Sequence, residues 1–328
     1  GGGASSGRAA ASEPILATVL PSPGDGHLAL LPEPVQALVQ VRPVVVLSDP
    51  TLSLAGAAFL HAVAADPSAA GTCLRDLAPA AQVLTYAWIG GEADGWLLLV
   101  DGTLEDRTVR TCLDAAGASP AESEATDVAV GAAVPLGTDG RLLFARTAPD
   151  RRLLGTGSVV EAALRLVERP APAPPAADEQ APVWTLLRQG EVKLYADIDQ
   201  LAAVGADFLP LADDADQIGM ALRLDEWRTR AVALVRARGA ARSGAVEGGL
   251  RNTLGGLRRA VLADPRMSSA AAHRTFEEAS IERDGRIVRL EVPLDRPVLA
   301  SLARWFADRA MRSGIVAPAG AGDPDLRP

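Results

Sequence analysis

The stretch "VLTYAWIGGEADGWLLLVDG", Val83 to Gly102, contains two apolar runs rich in strand-forming residues, joined by the connection Gly-Glu-Ala-Asp-Gly. Two such runs on either side of a glycine-containing turn are typical of an antiparallel β-hairpin. We therefore predict two adjacent strands here, and expect them to form the sheet core of the first half of the chain.

Runs of the same kind recur on both sides of this hairpin. We predict strands in "PVQALVQVRPVVVL", "RLLFARTA", "RRLLGTG", "EVKLYADI", "QIGMALRLDE", "WRTRAVALVRARG" and "RIVRLEVPL". Helices are predicted at Ser158–Glu168, with Ser158 and Glu161 as a capping box, at Ser243–Leu262 and at Pro297–Met311. The order of elements predicts an α+β fold, with antiparallel strands backed by helices on one face.

Proline-rich sequence divides the chain. "ERPAPAPPAADEQAP" excludes helix and central strand, so residues 169–182 are predicted to be a Pro/Ala-rich linker. The other predicted parts are a flexible tether (1–14), a first α+β domain (15–168), a second (183–316) and a disordered tail (317–328).

The two halves align loosely with each other. Ile89-Gly90 and Trp96 match Ile218-Gly219 and Trp227, and the turn at Asp139-Gly140-Arg141 matches Asp284-Gly285-Arg286. This similarity predicts two loosely similar tandem domains that arose by duplication.

Composition excludes some classes of function. The 328 residues carry a formal net charge of −9, with a pI near 5.0, which opposes general attraction to nucleic acid or anionic lipid. Lys193 is the single lysine among 32 basic residues. Arginine is therefore the default cation of this chain, and an arginine run does not by itself indicate a phosphate site. The bias towards Arg, Ala, Gly and Pro is typical of a GC-rich genome.

Cys73 and Cys112 are the only cysteines. Neither has a second Cys or a His at zinc-ligand spacing, and neither has a local base that would activate a thiol. Two readings remain open: buried thiols of a cytosolic protein, or a disulfide of an exported one. We favour the disulfide, which would stabilise the fold by roughly 3–4 kcal/mol in the chain-entropy model.

The other candidate binding and catalytic motifs lack the residues or the spacing that their chemistry requires. Asp214, Asp216, Gly219 and Asp225 fall on positions of a calcium loop, but an apolar residue stands at one ligand position, so a solvated acidic turn is expected. "GTGSVV" lacks the third glycine of a dinucleotide loop. His27, His61 and His273 show no catalytic pattern. We therefore predict no catalytic, cofactor-binding or metal-binding residues and no cofactor. The five tryptophans are expected to be core anchors rather than ligand contacts: Trp88, Trp96, Trp184, Trp227 and Trp305.

The opening segment "GGGASSGRAAASEP" cannot form a core and resembles the segment that follows the lipidated cysteine of mature bacterial lipoproteins. A cloning remnant or a trimmed terminus is the alternative. Together with the linker and the two similar halves, the chain resembles, in layout alone, uncharacterised exported lipoproteins of GC-rich bacteria. The resemblance transfers no functional residues.

That resemblance, with the cysteine pair, implies a non-catalytic, lipid-anchored envelope protein that acts as a binding or assembly component. It implies a periplasmic or cell-surface location, protein partners in the cell envelope, no nucleic acid, and membrane contact only through the N-terminal lipid. Two alternatives remain: a cytosolic enzyme whose site is built from sequence-distant residues, and a structural subunit of a larger envelope complex.

Overall fold

A computed structural model shows one 11-stranded antiparallel sheet with helices packed on it. It describes residues 25–53, 77–91, 95–104, 108–109, 111–112, 129–136, 141–169, 182–187, 190–199, 211, 213–224, 229–263, 265 and 269–312. The strands are β1 (Val35–Val41), β2 (Val83–Ile89), β3 (Gly95–Asp101), β4 (Ala133–Leu136), β5 (Leu142–Ala148), β6 (Arg151–Thr156), β7 (Val192–Asp197), β8 (Ala215–Leu224), β9 (Thr229–Ala237), β10 (Ser280–Asp284) and β11 (Ile287–Leu294).

The described helices are distributed along the whole order of strands, with one before β1 and one after β11. They are α1 (Asp25–Leu28), α2 (Pro43–Ser48), α3 (Gly157–Glu168), α4 (Val183–Leu186), α5 (Ser243–Leu262), α6 (Ser269–Glu277) and α7 (Arg296–Arg312), with short 3₁₀ turns at Ala78–Ala80 and Ala240–Arg242. None of the helices described is both long and apolar enough to span a membrane. The fold is α+β, as the sequence predicts.

The strand order is β10-β11-β9-β8-β7-β1-β2-β3-β6-β5-β4. The sheet is therefore continuous across the two halves of the chain, which meet where β1 pairs with β7. Five residue pairs form this junction, from Ala37–Ala196 to Val41–Val192. The domain boundaries stay a prediction, and residues 170–181 of the linker lie outside the described part of the chain.

The two sides of the sheet carry separate apolar clusters. On the closed face, buried residues of β1, β2 and β7 pack with α1, α3 and α4; they include Leu38, Ala87 and Tyr195. On the opposite, open face, Leu84, Leu98, Val235 and Val288 pack with α2, α5, α6 and α7. The expectation of helices on one face is therefore wrong, because alternate residues of the strands are apolar on both sides and each side needs cover.

Several local predictions are confirmed. The opening stretch is a hairpin in which Val83 pairs with Asp101 and Ile89 with Gly95. The helix at Ser243–Leu262 has the predicted bounds and buries Val246, Leu250 and Val261 on its apolar side.

Two local predictions are wrong. The valine run after β1 forms α2 instead of strand, because Pro43 stands at a first-turn position where its fixed φ favours a helix. The capping box at Ser158 and Glu161 does not form, since α3 begins at Gly157 and Thr156 occupies the N-cap without a side-chain hydrogen bond.

The repeat is present in the order of strands but not in the residues matched by sequence. Reading outward from the junction, β1-β2-β3-β6-β5 corresponds to β7-β8-β9-β11-β10. Ile89 pairs with Gly95 at the end of its hairpin, whereas the equivalent pair in the second half is Leu224–Thr229, not Ile218. The Asp284-Gly285-Arg286 turn joins β10 to β11, so its counterpart is the β5–β6 turn rather than the segment before Leu142.

Gly155 provides a test of the packing of β6 against β3. A Cβ atom at this position would lie 2.3 Å from the backbone oxygen of Trp96, whereas a Cβ at Gly157 would have no neighbour closer than 3.5 Å. We expect Gly155→Ala to lower the free energy of unfolding by about 1–3 kcal/mol, because backbone cannot move aside cheaply. Gly157→Ala is the control and should leave the urea midpoint nearly unchanged. Equal midpoints for the two variants would contradict this account of the sheet.

Candidate functional site

A chain of polar side chains is buried on the closed face. His27 and Thr85 are fully buried and Gln40 is 3% exposed. His27 Nδ1 lies 2.8 Å from Thr85 Oγ1, and Gln40 Nε2 donates to the same oxygen at 3.0 Å. Thr85 Oγ1 therefore links the Gln40 amide to the His27 ring. The chain joins α1 to β1 and β2.

Asp101, at the end of β3, continues this chain. Its Oδ1 lies 2.9 Å from His27 Nε2, a short contact that is not aligned as a linear hydrogen bond. Arg151 of β6 binds both carboxylate oxygens, at 2.7 and 2.8 Å. Burial raises the pKa of the Asp101 carboxyl, but hydrogen bonds and charges from Arg151 and His27 outweigh it and hold the pKa well below its usual value.

Lys193 lies in the same row of the sheet. It is fully buried, and it pairs directly with Gln40 across the β1–β7 junction, so both side chains are on the closed face. Gln40 in turn pairs with Thr85 across the β1–β2 ladder. The only lysine of the chain therefore extends the polar row from the first half into the second.

The order threonine, histidine, aspartate is the order of nucleophile, base and orienting acid in hydrolases. Here the first two side chains have no solvent-exposed surface, and buried Leu28, Leu30 and Leu31 follow His27 in the same cluster. A substrate could reach Thr85 only if this segment left the sheet. The arrangement therefore supports a role in fastening the N-terminal segment to the sheet.

The open face of the four central strands, β2, β1, β7 and β8, carries apolar side chains that are partly exposed. Trp88 on β2, Leu194 on β7 and Met220 on β8 are 41%, 39% and 45% exposed. These side chains belong to two adjacent rows, which we call the central strip. One row is Tyr86, Val39, Leu194 and Met220, and the other is Trp88, Ala37, Ala196 and Ile218. All eight residues are apolar or aromatic, and none is charged.

The central strip has buried residues on both sides. Leu98 of β3 and Leu290 of β11, in the same row as Leu194, are covered by the open-face cluster.

At one end of the strip, Arg296 at the start of α7 donates a hydrogen bond to Asp49, just after α2. Burial raises the pKa of Asp49, but Arg296 and the Thr51 and Leu52 amides outweigh it and lower the pKa. This ion pair links the open-face helices of the two halves.

The residues singled out by sequence are dispersed. Cys112 is 3% exposed and lines an apolar cavity of about 10 Å³, too small for a ligand. Cys73 and His61 lie outside the described residues, so the Cys73–Cys112 disulfide stays a prediction. His273 is hydrogen-bonded to Arg258 at the surface, 2.9 Å away.

The calcium-loop residues do not form a site. Asp216 and Gly219 lie in β8, and Asp225 is outside the described residues. Asp214 binds Arg242, while Asp216 binds Arg236 and Arg286, so arginines occupy the carboxylates. Nowhere in the described chain do three or more His, Cys, Asp or Glu side chains group as metal ligands.

The tryptophans differ from one another. Trp184 is buried in the closed-face cluster, as expected of a core anchor, but Trp88 is exposed on the central strip. Trp96 stacks on Tyr86 with ring centroids 6.2 Å apart. Trp227 is outside the described residues, as is the side chain of Trp305. For Trp88 the core assignment is wrong, because it alternates with buried Ala87 and Ile89 and faces the open side.

Sequence reasoning missed both the buried polar chain and the central strip. The polar chain joins residues up to 58 positions apart, and no local pattern signals it. The strip has a weak signal: the open-face positions of "VLTYAWI" and "QIGMALRL" are all apolar or aromatic, and most closed-face positions of the first strand are apolar as well.

The fold and site define an α+β protein with a single antiparallel sheet, a sealed polar row on one face and an exposed apolar strip on the other. No protein-family model and no curated protein matches the sequence. The chain is similar to crystal forms IV, III and I of TP0453, with TM-scores of 0.44, 0.44 and 0.37 and identities of 12%, 11% and 13%. These matches cover 87%, 88% and 88% of this chain and 97%, 99% and 98% of those chains. Similarity at this level assigns no function.

Asp101 provides a test of the polar chain. At neutral pH, Asp101→Asn should lower the free energy of unfolding by about 2 kcal/mol, since it leaves Arg151 and His27 without their anion. A carboxyl with a lowered folded-state pKa stabilises fully above its unfolded pKa of about 4 and loses that effect as the pH falls further. The difference in unfolding free energy between wild type and variant should therefore narrow as the pH falls below about 4.

The control is Asp199→Asn, which removes the exposed ion pair with Arg238. Solvent screens this pair, so the cost should be less than about 1 kcal/mol. Chemical unfolding monitored by circular dichroism measures both variants. A cost for Asp101→Asn no larger than for Asp199→Asn would show that the chain does not fasten α1.

Proposed function

We propose that this protein is a non-catalytic, exported component of the bacterial cell envelope that binds a partner protein, and that an N-terminal lipid holds it at the membrane. The observation that carries the binding role is the central strip. An exposed apolar strip supports a binding role, whereas the cluster that most resembles a catalytic site, His27 with Thr85, is sealed beneath Leu28, Leu30 and Leu31.

The central strip is unusual because the same strands are sealed on the reverse side. Leu38, Gln40, Thr85, Lys193 and Tyr195 are all buried on the closed face. The fold thus has the means to cover these strands, yet leaves three large apolar side chains about 40% exposed on the other side. Contiguous exposed apolar surface of this kind marks interaction sites in soluble proteins. Burial against a partner would contribute about 25 cal/mol per Å².

The chemistry of the strip favours protein as the partner. Its two rows contain no charged side chain, and the chain carries a net charge of −9. Nucleic acid binding needs basic side chains for the phosphates, which the strip lacks. Exposed Trp and Met are enriched in the binding cores of protein interfaces.

Three features support the location. The tether-like opening segment and the Pro/Ala-rich linker fit the layout of an exported lipoprotein. Cys112 is buried in the open-face cluster, as a structural disulfide cysteine would be.

The alternative, a structural subunit of an envelope complex, would use the central strip as well. It would differ from a free-standing binding protein by co-purifying with its complex at one fixed stoichiometry.

Substitutions in the strip test the binding role. Leu194→Glu or Met220→Glu should reduce the amount of co-purified partner protein at least about tenfold, because a charge must then be buried in an apolar interface. Leu262→Glu is the control, since Leu262 is 40% exposed at the end of α5, the helix that packs on β9, β10 and β11. All three variants should keep the wild-type urea midpoint. The measurement is quantitative mass spectrometry of complexes isolated from the cells that produce the protein. Equal recovery of partners by strip and control variants would refute the binding role.

The state of the thiols and the membrane fractionation test the location. In protein isolated without reductant from its own cells, we expect iodoacetamide to add no mass, and to add two carbamidomethyl groups after reduction. The same protein, produced from its full-length gene, should sediment with membranes and carry a covalently bound acyl group. Two thiols alkylated without reduction, in protein that stays in the cytosolic fraction, would favour the cytosolic alternative.

A further inference from the structure

We infer that the partner contributes one amphipathic α-helix, which lies in the central strip along β1 and β7 and fills a gap in the helical layer of the open face. This inference rests on the proposed binding role and specifies which structure the strip recognises. It follows from the width of the gap, the shape of its floor and the area it exposes.

The gap has the width of one helix. The exposed side chains lie on β2, β7 and β8, with the half-buried residues of β1 between them. Neighbouring strands lie about 4.8 Å apart, so β2 and β8 are about 14 Å apart. An α-helix with its side chains measures about 10–12 Å across. On the adjacent strands, Leu98 of β3 and Val235 of β9 are already buried. A second helix beside the first would have no exposed floor.

The floor of the gap is shaped as a groove. Ala37 and Ala196 pair across the junction in the middle of one row, with Trp88 and Ile218 on either side. Small residues between larger ones allow a helix to approach the two central strands closely. The Asp49–Arg296 ion pair joins the end of α2 to the start of α7 near the Val41 end of the strands, and it bounds the groove there.

The exposed area is too small for a flat dimer of this chain. Trp88, Leu194 and Met220, each about 40% exposed, together offer on the order of 300 Å² of apolar surface. A stable interface buries about 800 Å² on each partner. A helix reaches more of the strip than a flat surface can, because its side chains enter the groove and contact the half-buried floor. The eight uncharged positions require an apolar helix face, with residues at i, i+3, i+4 and i+7.

Photocross-linking in the cells that produce the full-length protein tests this inference. The photoreactive residue benzoylphenylalanine replaces Leu194 or Met220, and a third variant carries it at Leu262 as the exposure-matched control. Mass spectrometry then maps the linked residues of the partner. We expect cross-links from the two strip positions to residues spaced three or four apart in one segment, at a yield at least about tenfold above the control.

The outcomes separate the inference from the proposed function. No excess over the Leu262 control would overturn both. Cross-links to a partner at residues spaced two apart would indicate an added strand or another extended segment, and cross-links to a second copy of this chain would indicate a dimer. Either result would overturn the helix and leave partner binding at the strip intact.

A groove-filling variant adds an independent readout. Ala196→Phe places a large side chain on the floor of the groove, and Ala133→Phe places one on the exposed strand β4 as the control. In protein with benzoylphenylalanine at Met220, we expect Ala196→Phe to reduce the cross-link yield about tenfold and Ala133→Phe to leave it unchanged. Both variants should retain the wild-type urea midpoint. An undiminished yield in Ala196→Phe would show that the partner does not enter the groove.

Discussion

The pairing of β1 with β7 is the contact on which the rest of the structure depends, because it joins the strands of both halves into one sheet. Successive residues of a strand point to opposite faces, so this one ladder builds two surfaces. Leu38–Tyr195 and Gln40–Lys193 lie on the closed face, where they are buried, while the intervening Val39–Leu194 pair lies on the open face. The sealed polar row and the exposed apolar strip are therefore two sides of the same contact.

The polar row makes the register of this junction specific. A slip of one residue would move Gln40 or Lys193 to the open face and bring apolar side chains into the polar row. Thr85 Oγ1 would then lose the Gln40 amide, and an unsatisfied buried polar group costs about 1–3 kcal/mol. Apolar pairs alone tolerate such slips better, because Val, Leu and Ala make contacts in either register. Gln40 and Lys193 thus make the register of the β1–β7 pairing specific, at the one ladder that joins the two halves.

Elements held by local contacts could be predicted from the sequence, and elements held by distant contacts could not. The Val83–Gly102 hairpin and the helix at Ser243–Leu262 follow from residue patterns within about 20 positions. The β1–β7 junction joins residues more than 150 positions apart, and its strands look like any other apolar strand. The same holds for His27, whose role is set by Thr85 and Asp101. The helical valine run after Pro43 shows the opposite case, in which a single proline outweighs the strand propensity of the valines.

The repeated strand order explains why the described helices leave the central strands uncovered on the open face. On this face, α5 packs on β9, β10 and β11 of the second half, and α6 packs on β11. On the closed face, the β1–β7 junction is covered by the residues after α1 and by α4. Val183 and Leu187 there occupy the space that a side chain at Gly219 would need. Among the residues that the structure describes, the junction is covered on the closed face only. The central strip is the part of the open face that the described helices of the two similar halves leave uncovered. The proposed binding surface requires no structural element beyond this strip.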